Sequence, residues 1–128
     1  MVFAAAGLAL TGCGGGGPAP VITSAPAGST PGAPVGTTIN AIERDYEIEL
    51  DAAAVSGPFT VAISNEGPGP HGFAIEDANK QLIATTGEIS RAKTGQLVVP
   101  ALAAGEYTYF CPIVGHRREG MEGKLTVQ

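Results

Sequence analysis

From Thr37 onward, apolar and polar residues alternate along the chain with a period of two. The alternation is clear at residues 46–50 and 59–63, and further short apolar runs follow at 73–75, 82–84, 97–99 and 107–111. Gly-Pro and Asn-Glu-Gly sequences separate these runs, and no segment has a convincing helical stripe, although residues 51–55 have room for one short turn. Because side chains alternate between the two faces of a strand, the pattern predicts an all-β sandwich or barrel of about seven to eight strands.

The first 36 residues differ sharply from the rest in composition. Residues 1–12 contain an apolar run that is too short to span a bilayer as a helix and is typical of a signal peptide. The sequence that ends at Cys13 resembles a bacterial lipobox, which predicts a lipidated N-terminal cysteine; the alternative is an ordinary signal peptide with an incidental cysteine. Residues 13–36 would then consist of the lipidated Cys13 and a disordered linker, because the segment is uncharged and rich in Gly, Pro and Ala.

The charge of the protein belongs to the β-rich region. Every charged residue lies between Glu43 and Lys124, and acidic residues outnumber basic ones to give a net charge of −5. Nucleic-acid binding requires a basic face, so this balance argues against a nucleic-acid partner. The chain of 128 residues is long enough for one small domain, which we place at residues 37–128.

The loop between the predicted strand that ends at Cys111 and a further predicted strand at residues 124–127 carries three potential metal ligands. Cys111, His116 and Met121 are each separated from the next by four residues, and His71 is the only other histidine. A thiolate, imidazoles and a thioether together indicate a soft metal site. Zinc is the main competing metal, but a thioether is a poor fourth ligand for zinc and the divalent affinity order favours copper.

The segment from Tyr107 to Val127 resembles the C-terminal ligand loop of the cupredoxins, the small type 1 blue-copper proteins, with loop lengths like those of auracyanin and rusticyanin. The resemblance extends upstream to the Asn-Glu-Gly-Pro-Gly-Pro-His-Gly sequence and covers residues 37–128. It implies a Greek-key β-sandwich that holds one copper ion, with four ligands: His71, Cys111, His116 and Met121.

The resemblance also implies roles for residues around these ligands. The backbone N–H groups of Gly72 and Ile113 are expected to donate hydrogen bonds to the Cys111 sulfur, which would stabilise Cu(I). Many relatives have asparagine where this chain has Gly72. The expected electron-transfer surface surrounds His116 and includes Pro70, Val114, Arg117 and Arg118.

The function implied by the resemblance is one-electron transfer by a monomer that is not an enzyme. Its partners would be a redox donor and acceptor, and its location the outer face of a prokaryotic cytoplasmic membrane through Cys13, or the periplasm if Cys13 is not lipidated. The main alternative is a module for copper delivery or sequestration. A third hypothesis is an accessory domain of a membrane oxidase or reductase.

Overall fold

The computed structural model describes residues 36–128. Within this range the chain forms nine strands and one short 3-10 helix: β1 (Thr37–Arg44), β2 (Glu47–Leu50), β3 (Ala54–Val55), β4 (Phe59–Asn65), β5 (Ala74–Glu76), β6 (Leu82–Thr85), β7 (Thr94–Val99), β8 (Gly105–Phe110), the 3-10 helix His116–Glu119, and β9 (Glu122–Val127). The predicted signal peptide at 1–12, Cys13, and all of the predicted linker except Gly36 lie outside the described residues.

The strands form two sheets. One has the order β2-β1-β4-β7 and the other the order β3-β9-β8-β5-β6. Both sheets are mixed, because β1 runs parallel to β4 and β3 runs parallel to β9, whereas the other pairs are antiparallel. The all-β prediction is confirmed. The described strands exceed the predicted number because β1 forms where no separate run was predicted, and because the region at 51–55, considered for a helical turn, contributes the two-residue strand β3.

The core lies between the two sheets and follows the period-two pattern of the sequence. Strand β4 shows this most clearly, since Phe59, Val61 and Ile63 are all buried. Opposite them on β7, Val99 pairs with Phe59 and Leu97 pairs with Val61, so the inward-facing positions of the two strands stay in register. Burying such side chains contributes about 1.5–3 kcal/mol each, which makes this alternation the main source of the fold's stability.

Two of the loops that cross between the sheets meet at His71. The first joins β4 in one sheet to β5 in the other, and the second returns from β6 to β7. An isolated antiparallel bridge between His71 and Ile89 ties these loops together. A potential ligand therefore sits where both crossings meet.

The turn before β8 is fixed by a side chain. The hydroxyl of Tyr107 donates a hydrogen bond of 2.9 Å to the carbonyl of Ala103, four residues upstream. This is a tyrosine corner of the kind found in β-sandwiches. In the part of the chain that the structure describes, no helix has the length and apolar character needed to cross a membrane.

Candidate metal centre

The loop between β8 and β9 is closed at its base by backbone hydrogen bonds. The ladder ends with Phe110 opposite Glu122, and the amide of Cys111 then donates to the carbonyl of Met121 at 3.0 Å. The amide of Met121 in turn donates to the carbonyl of His116 at 3.2 Å. The three potential ligands of this loop are thus connected through the backbone.

His71 is held by both crossing loops. Its amide donates to the carbonyl of Ile89 at 3.1 Å, and the amide of Ile89 donates to the carbonyl of His71 at 2.8 Å. The side chain of Asn65 donates to the carbonyls of Gly69 and Ile89 and accepts a hydrogen bond from the amide of Gly67. Asn65 therefore shapes the loop that presents His71.

The side chains of His71, Cys111 and His116 converge on one point. The two Nδ1 atoms of His71 and His116 are 3.2 Å apart, and the Cys111 Sγ is 3.6 Å from His116 Nδ1. All three potential ligand atoms lie within 4.8 Å of one another. At bond lengths of about 2.0–2.1 Å to nitrogen and 2.3 Å to sulfur, tetrahedral geometry would separate two nitrogens by about 3.3 Å and nitrogen from sulfur by about 3.6 Å. The two measured separations, between His71 and His116 and between Cys111 and His116, match those of donors to a single bound ion.

Three of the four predicted ligands are sealed from solvent. His71, Cys111 and Met121 are buried, whereas His116 is half-buried. A buried thiol and two imidazoles form a donor set for a soft or borderline metal ion, and they are positioned for a single copper ion. Met121 belongs to the same buried core cluster as Cys111, and its role as a fourth ligand remains a prediction.

The surroundings of Cys111 and His71 favour their neutral forms in the metal-free protein. Burial raises the pKa of the Cys111 thiol, although hydrogen bonds from the backbone N–H groups of Ile113 and Gly72 act in the opposite direction. Burial also lowers the pKa of His71, and the nearby His116 lowers it further. A neutral imidazole keeps a lone pair available, and metal binding to the thiol would release its proton.

Close backbone approaches leave little space around the donors. A Cβ atom at Gly67 would collide with Nε2 of His71, and one at Gly72 would lie 3.3 Å from Cγ of Pro112 and 3.1 Å from the carbonyl of Gly87. The loop that carries His71 and the loop that carries Cys111 therefore pack directly against each other at Gly72. A larger residue at Gly72 would require one of these loops to shift.

Three exposed apolar residues belong to the segments that carry or contact the two histidines. Val114 is 93% exposed and Tyr46 is 47% exposed, and Pro70 is also exposed. The ring of Tyr46 meets the ring of His116 edge-on, with 5.4 Å between centroids. Sequence reasoning placed Tyr46 in a strand, but it occupies the turn between β1 and β2 with a φ of 59°. That conformation directs its ring to the metal centre rather than along the sheet.

The two neighbouring arginines have different environments. Arg117 forms ion pairs with Glu76 at 2.6 Å and with Glu122 at 2.7 Å. Arg118 is exposed and has no ion pair among the described residues. The two residues were predicted to act together on the electron-transfer surface, and the structure leaves only Arg118 with an uncompensated charge.

Sequence reasoning assigned no role to Asn65 or Glu43. The Asn-Glu-Gly sequence carried a usable signal for Asn65, because asparagine side chains commonly accept from the amide two residues ahead, as happens here with Gly67. Glu43 gave no such signal. Its carboxylate faces the core from the inward side of β1, and neither oxygen has a hydrogen-bond partner.

The family of the chain follows from a sequence match. A family model described as a cupredoxin-like domain matches residues 25–127. The protein is a member of the cupredoxin-like family. The family predicted from the ligand-loop sequences is thereby confirmed, while lipidation of Cys13 stays a prediction.

Solved structures share this cupredoxin fold. Dithionite-reduced auracyanin from Roseiflexus castenholzii has a TM-score of 0.61 at 18% identity, covering 73% of this chain and 98% of its own. Rusticyanin from Thiobacillus ferrooxidans has a TM-score of 0.57 at 21% identity, covering 73% and 79%. A multi-copper oxidase from Pediococcus acidilactici has a TM-score of 0.51 at 17% identity, covering 72% of this chain but 26% of its own. A search of curated protein sequences gave no match.

Proposed function

We propose that this cupredoxin is a type 1 copper protein that carries one electron between redox partners. The observation that supports this proposal most strongly is the spacing of the buried donors, with 3.2 Å between the two histidine Nδ1 atoms and 3.6 Å between the Cys111 Sγ and His116 Nδ1. His71, Cys111 and His116 would hold the ion, with Met121 as the fourth ligand.

The mixed donor set suits a carrier. A copper ion supplies a one-electron Cu(I)/Cu(II) couple, and sulfur and imidazole ligands together accept both states. The N–H groups of Gly72 and Ile113 that donate to the Cys111 sulfur favour the reduced state, as does the buried surrounding. These contacts support a reduction potential above that of the hydrogen couple.

The composition of the site supports a carrier over a catalyst. The chain contains two histidines, and both belong to the donor cluster. Copper enzymes that bind several ions need more imidazoles than this chain has to offer.

The proposal is tested by the absorption spectrum of the copper-loaded protein. We expect an intense visible band from thiolate-to-copper charge transfer, which a reductant bleaches and an oxidant restores. Cys111→Ser is the matched control, because serine is similar in size but lacks the sulfur, and it should remain colourless with copper. A colourless wild-type protein after copper loading would overturn the proposal.

Copper retention separates electron transfer from copper delivery. A carrier with buried ligands should keep its ion through many cycles of oxidation and reduction in the presence of a competing chelator. A delivery protein should instead transfer the ion to the chelator within a few cycles. Loss of copper during cycling would therefore favour the delivery hypothesis.

The proposed docking site for redox partners is the apolar surface around His116. Val114, Pro70 and Tyr46 are exposed there, and Arg118 adds a positive charge next to this surface. An acidic partner would be guided by this charge. We further propose an extracytoplasmic location, with anchoring through a lipidated Cys13, as the sequence resemblance implies.

A further inference from the structure

A single guanidinium group connects the sequence neighbours of the loop ligands. The Nη2 and Nη1 atoms of Arg117 donate to the two carboxylate oxygens of Glu76 at 2.6 and 3.0 Å. Its Nε donates to Glu122 at 2.7 Å, and its Cζ lies 4.2 Å from the centre of the Phe110 ring. Arg117 therefore uses both edges and one face of its planar group.

Three of the four residues in this arrangement lie next to a predicted ligand in the sequence. Phe110 directly precedes Cys111, Arg117 directly follows His116, and Glu122 directly follows Met121. The residues adjacent to Cys111, His116 and Met121 therefore meet at the guanidinium group of Arg117.

Glu76 fixes this cation to the rest of the fold. It is the last residue of β5, the strand that begins three residues after His71, and it pairs with Thr108 on β8. The segment that carries His71 and the loop that carries the other ligands are therefore joined through Arg117 as well as through the metal site.

The chemistry of the contact makes it strong and persistent. Glu76 is buried with 6% of its side chain exposed, and hydrogen bonds from Arg117 lower its pKa to about 2, so it stays ionised at any physiological pH. A bidentate arginine–carboxylate pair fixes orientation as well as distance, which a lysine cannot do. Lys80 also donates to Glu76 at 3.0 Å, so the carboxylate keeps one partner when Arg117 is replaced.

We propose that Arg117 is a positioning residue that holds Cys111, His116 and Met121 in metal-binding geometry whether or not the ion is bound. This proposal rests on the proposed function, because it concerns the same site. A loop held from outside the ligand set keeps its shape when the ion changes oxidation state. It also slows release of the ion, because the ligands stay close together.

The test compares Arg117→Gln and Arg117→Lys with Arg91→Gln. Arg91 is the control because it is exposed, lies outside the ligand loop, and has no ion pair among the residues described. Each protein is loaded with copper and measured for its charge-transfer bands, its reduction potential, and its rate of copper release to a chelator. We expect both Arg117 variants to release copper at least tenfold faster than wild type and to show shifted bands, with the lysine variant closer to wild type. Arg91→Gln should match wild type.

A purely structural role gives a different result. If the Arg117 variants unfold more easily but keep the wild-type spectrum, potential and release rate, Arg117 stabilises the fold without positioning the ligands, and the proposal is wrong. If Arg117→Gln fails to fold, the lysine variant, which retains the positive charge, decides the outcome by the same measurements.

Hydrogen exchange in the metal-free protein separates this proposal from the proposed function. The amides of His116, Gly120 and Met121 are hydrogen-bonded within the loop, to Ile113, Arg117 and His116 respectively. Their exchange should be at least tenfold faster in Arg117→Gln and unchanged in Arg91→Gln. If exchange in the loop is faster in Arg117→Gln but the copper-loaded wild type is colourless, the positioning role of Arg117 is supported. In that case only the proposed copper function is wrong. Unchanged exchange would overturn the positioning role.

Discussion

Glu43 is an ionisable side chain enclosed by an apolar core. It lies on β1 at a position that pairs with Ile48 on one side and Asn65 on the other, and its side chain is fully buried. Burial raises its pKa from 4.5 to about 7 because a carboxylate there loses its hydration and gains no hydrogen bond. The folded protein therefore holds this proton at pH values where the unfolded chain has released it.

This difference means that Glu43 contributes a loss of stability as the pH rises, whereas the lowered pKa of His71 acts in the opposite direction. Below pH 4.5 Glu43 is protonated in both states, and its stabilising contribution is fully present; between pH 4.5 and about 7 the unfolded chain loses the proton first, so folding becomes less favourable. The contribution of Glu43 to the free energy of unfolding should fall by about 3 kcal/mol across this range. Urea unfolding of the metal-free wild type and Glu43→Leu across this range measures it as the change in the stability difference between the two proteins.

The comparison of the two proteins isolates Glu43, because the other titrating groups are the same in both. Parallel stability profiles for the wild type and Glu43→Leu would contradict the prediction. A profile that falls in both proteins would assign the effect to another group.

The ligand loop depends on backbone conformations that only glycine adopts without strain. Gly120 ends the 3-10 helix in the left-handed region with a φ of 104°, and its amide donates to the carbonyl of Arg117 at 3.1 Å. A Cβ at Gly120 would meet no atom within 4 Å. Any cost of a side chain there would therefore come from the backbone alone.

Gly120→Ala should lower the free energy of unfolding by about 1–2 kcal/mol, which is the usual cost of placing an L-residue in the left-handed region. Gly87→Ala is the control, since a Cβ there also meets nothing within 4 Å and its φ lies outside that region. Denaturant unfolding of the two metal-free variants measures the difference. Equal stability of the two variants would show that the loop tolerates a different backbone at residue 120.

Comparison of individual elements shows which parts of the fold can be predicted from the sequence. Local signals predicted the alternating burial of β4 and the position of the ligand loop, because alternation and spacing are properties of neighbouring residues. Tyr46 was misplaced because alternation continued through a turn whose positive φ breaks the pattern. The contact between Glu76 and Arg117 joins residues 41 positions apart, and no local pattern reports such a pairing.

The charge distribution of the whole molecule predicts how it meets an acidic redox partner. Because Arg117 is neutralised by Glu76 and Glu122, the positive charge beside His116 comes from Arg118. Arg118→Gln should slow electron transfer to such a partner at low ionic strength and have little effect at high ionic strength, where the charge is screened. Second-order rate constants measured over a range of salt concentrations test this.

Lys124→Gln is the control for a simple change of net charge. Lys124 is paired with Glu106 and lies on β9, which leads away from the ligand loop. An equal loss of rate in the two variants would assign the effect to the net charge of the protein. An unchanged rate for Arg118→Gln at every salt concentration would contradict steering by this residue.

Of the four predicted ligands, His116 is the one whose side chain reaches the surface, and the ring of Tyr46 leans against it. An ion that enters or leaves the centre must therefore pass beside this imidazole, through the same opening that faces a docked protein. Occupation of that opening by a redox partner would close the exit. Copper should therefore be released to a chelator more slowly from the complex than from the free protein. Chelators should remove copper mainly from molecules that have no partner bound.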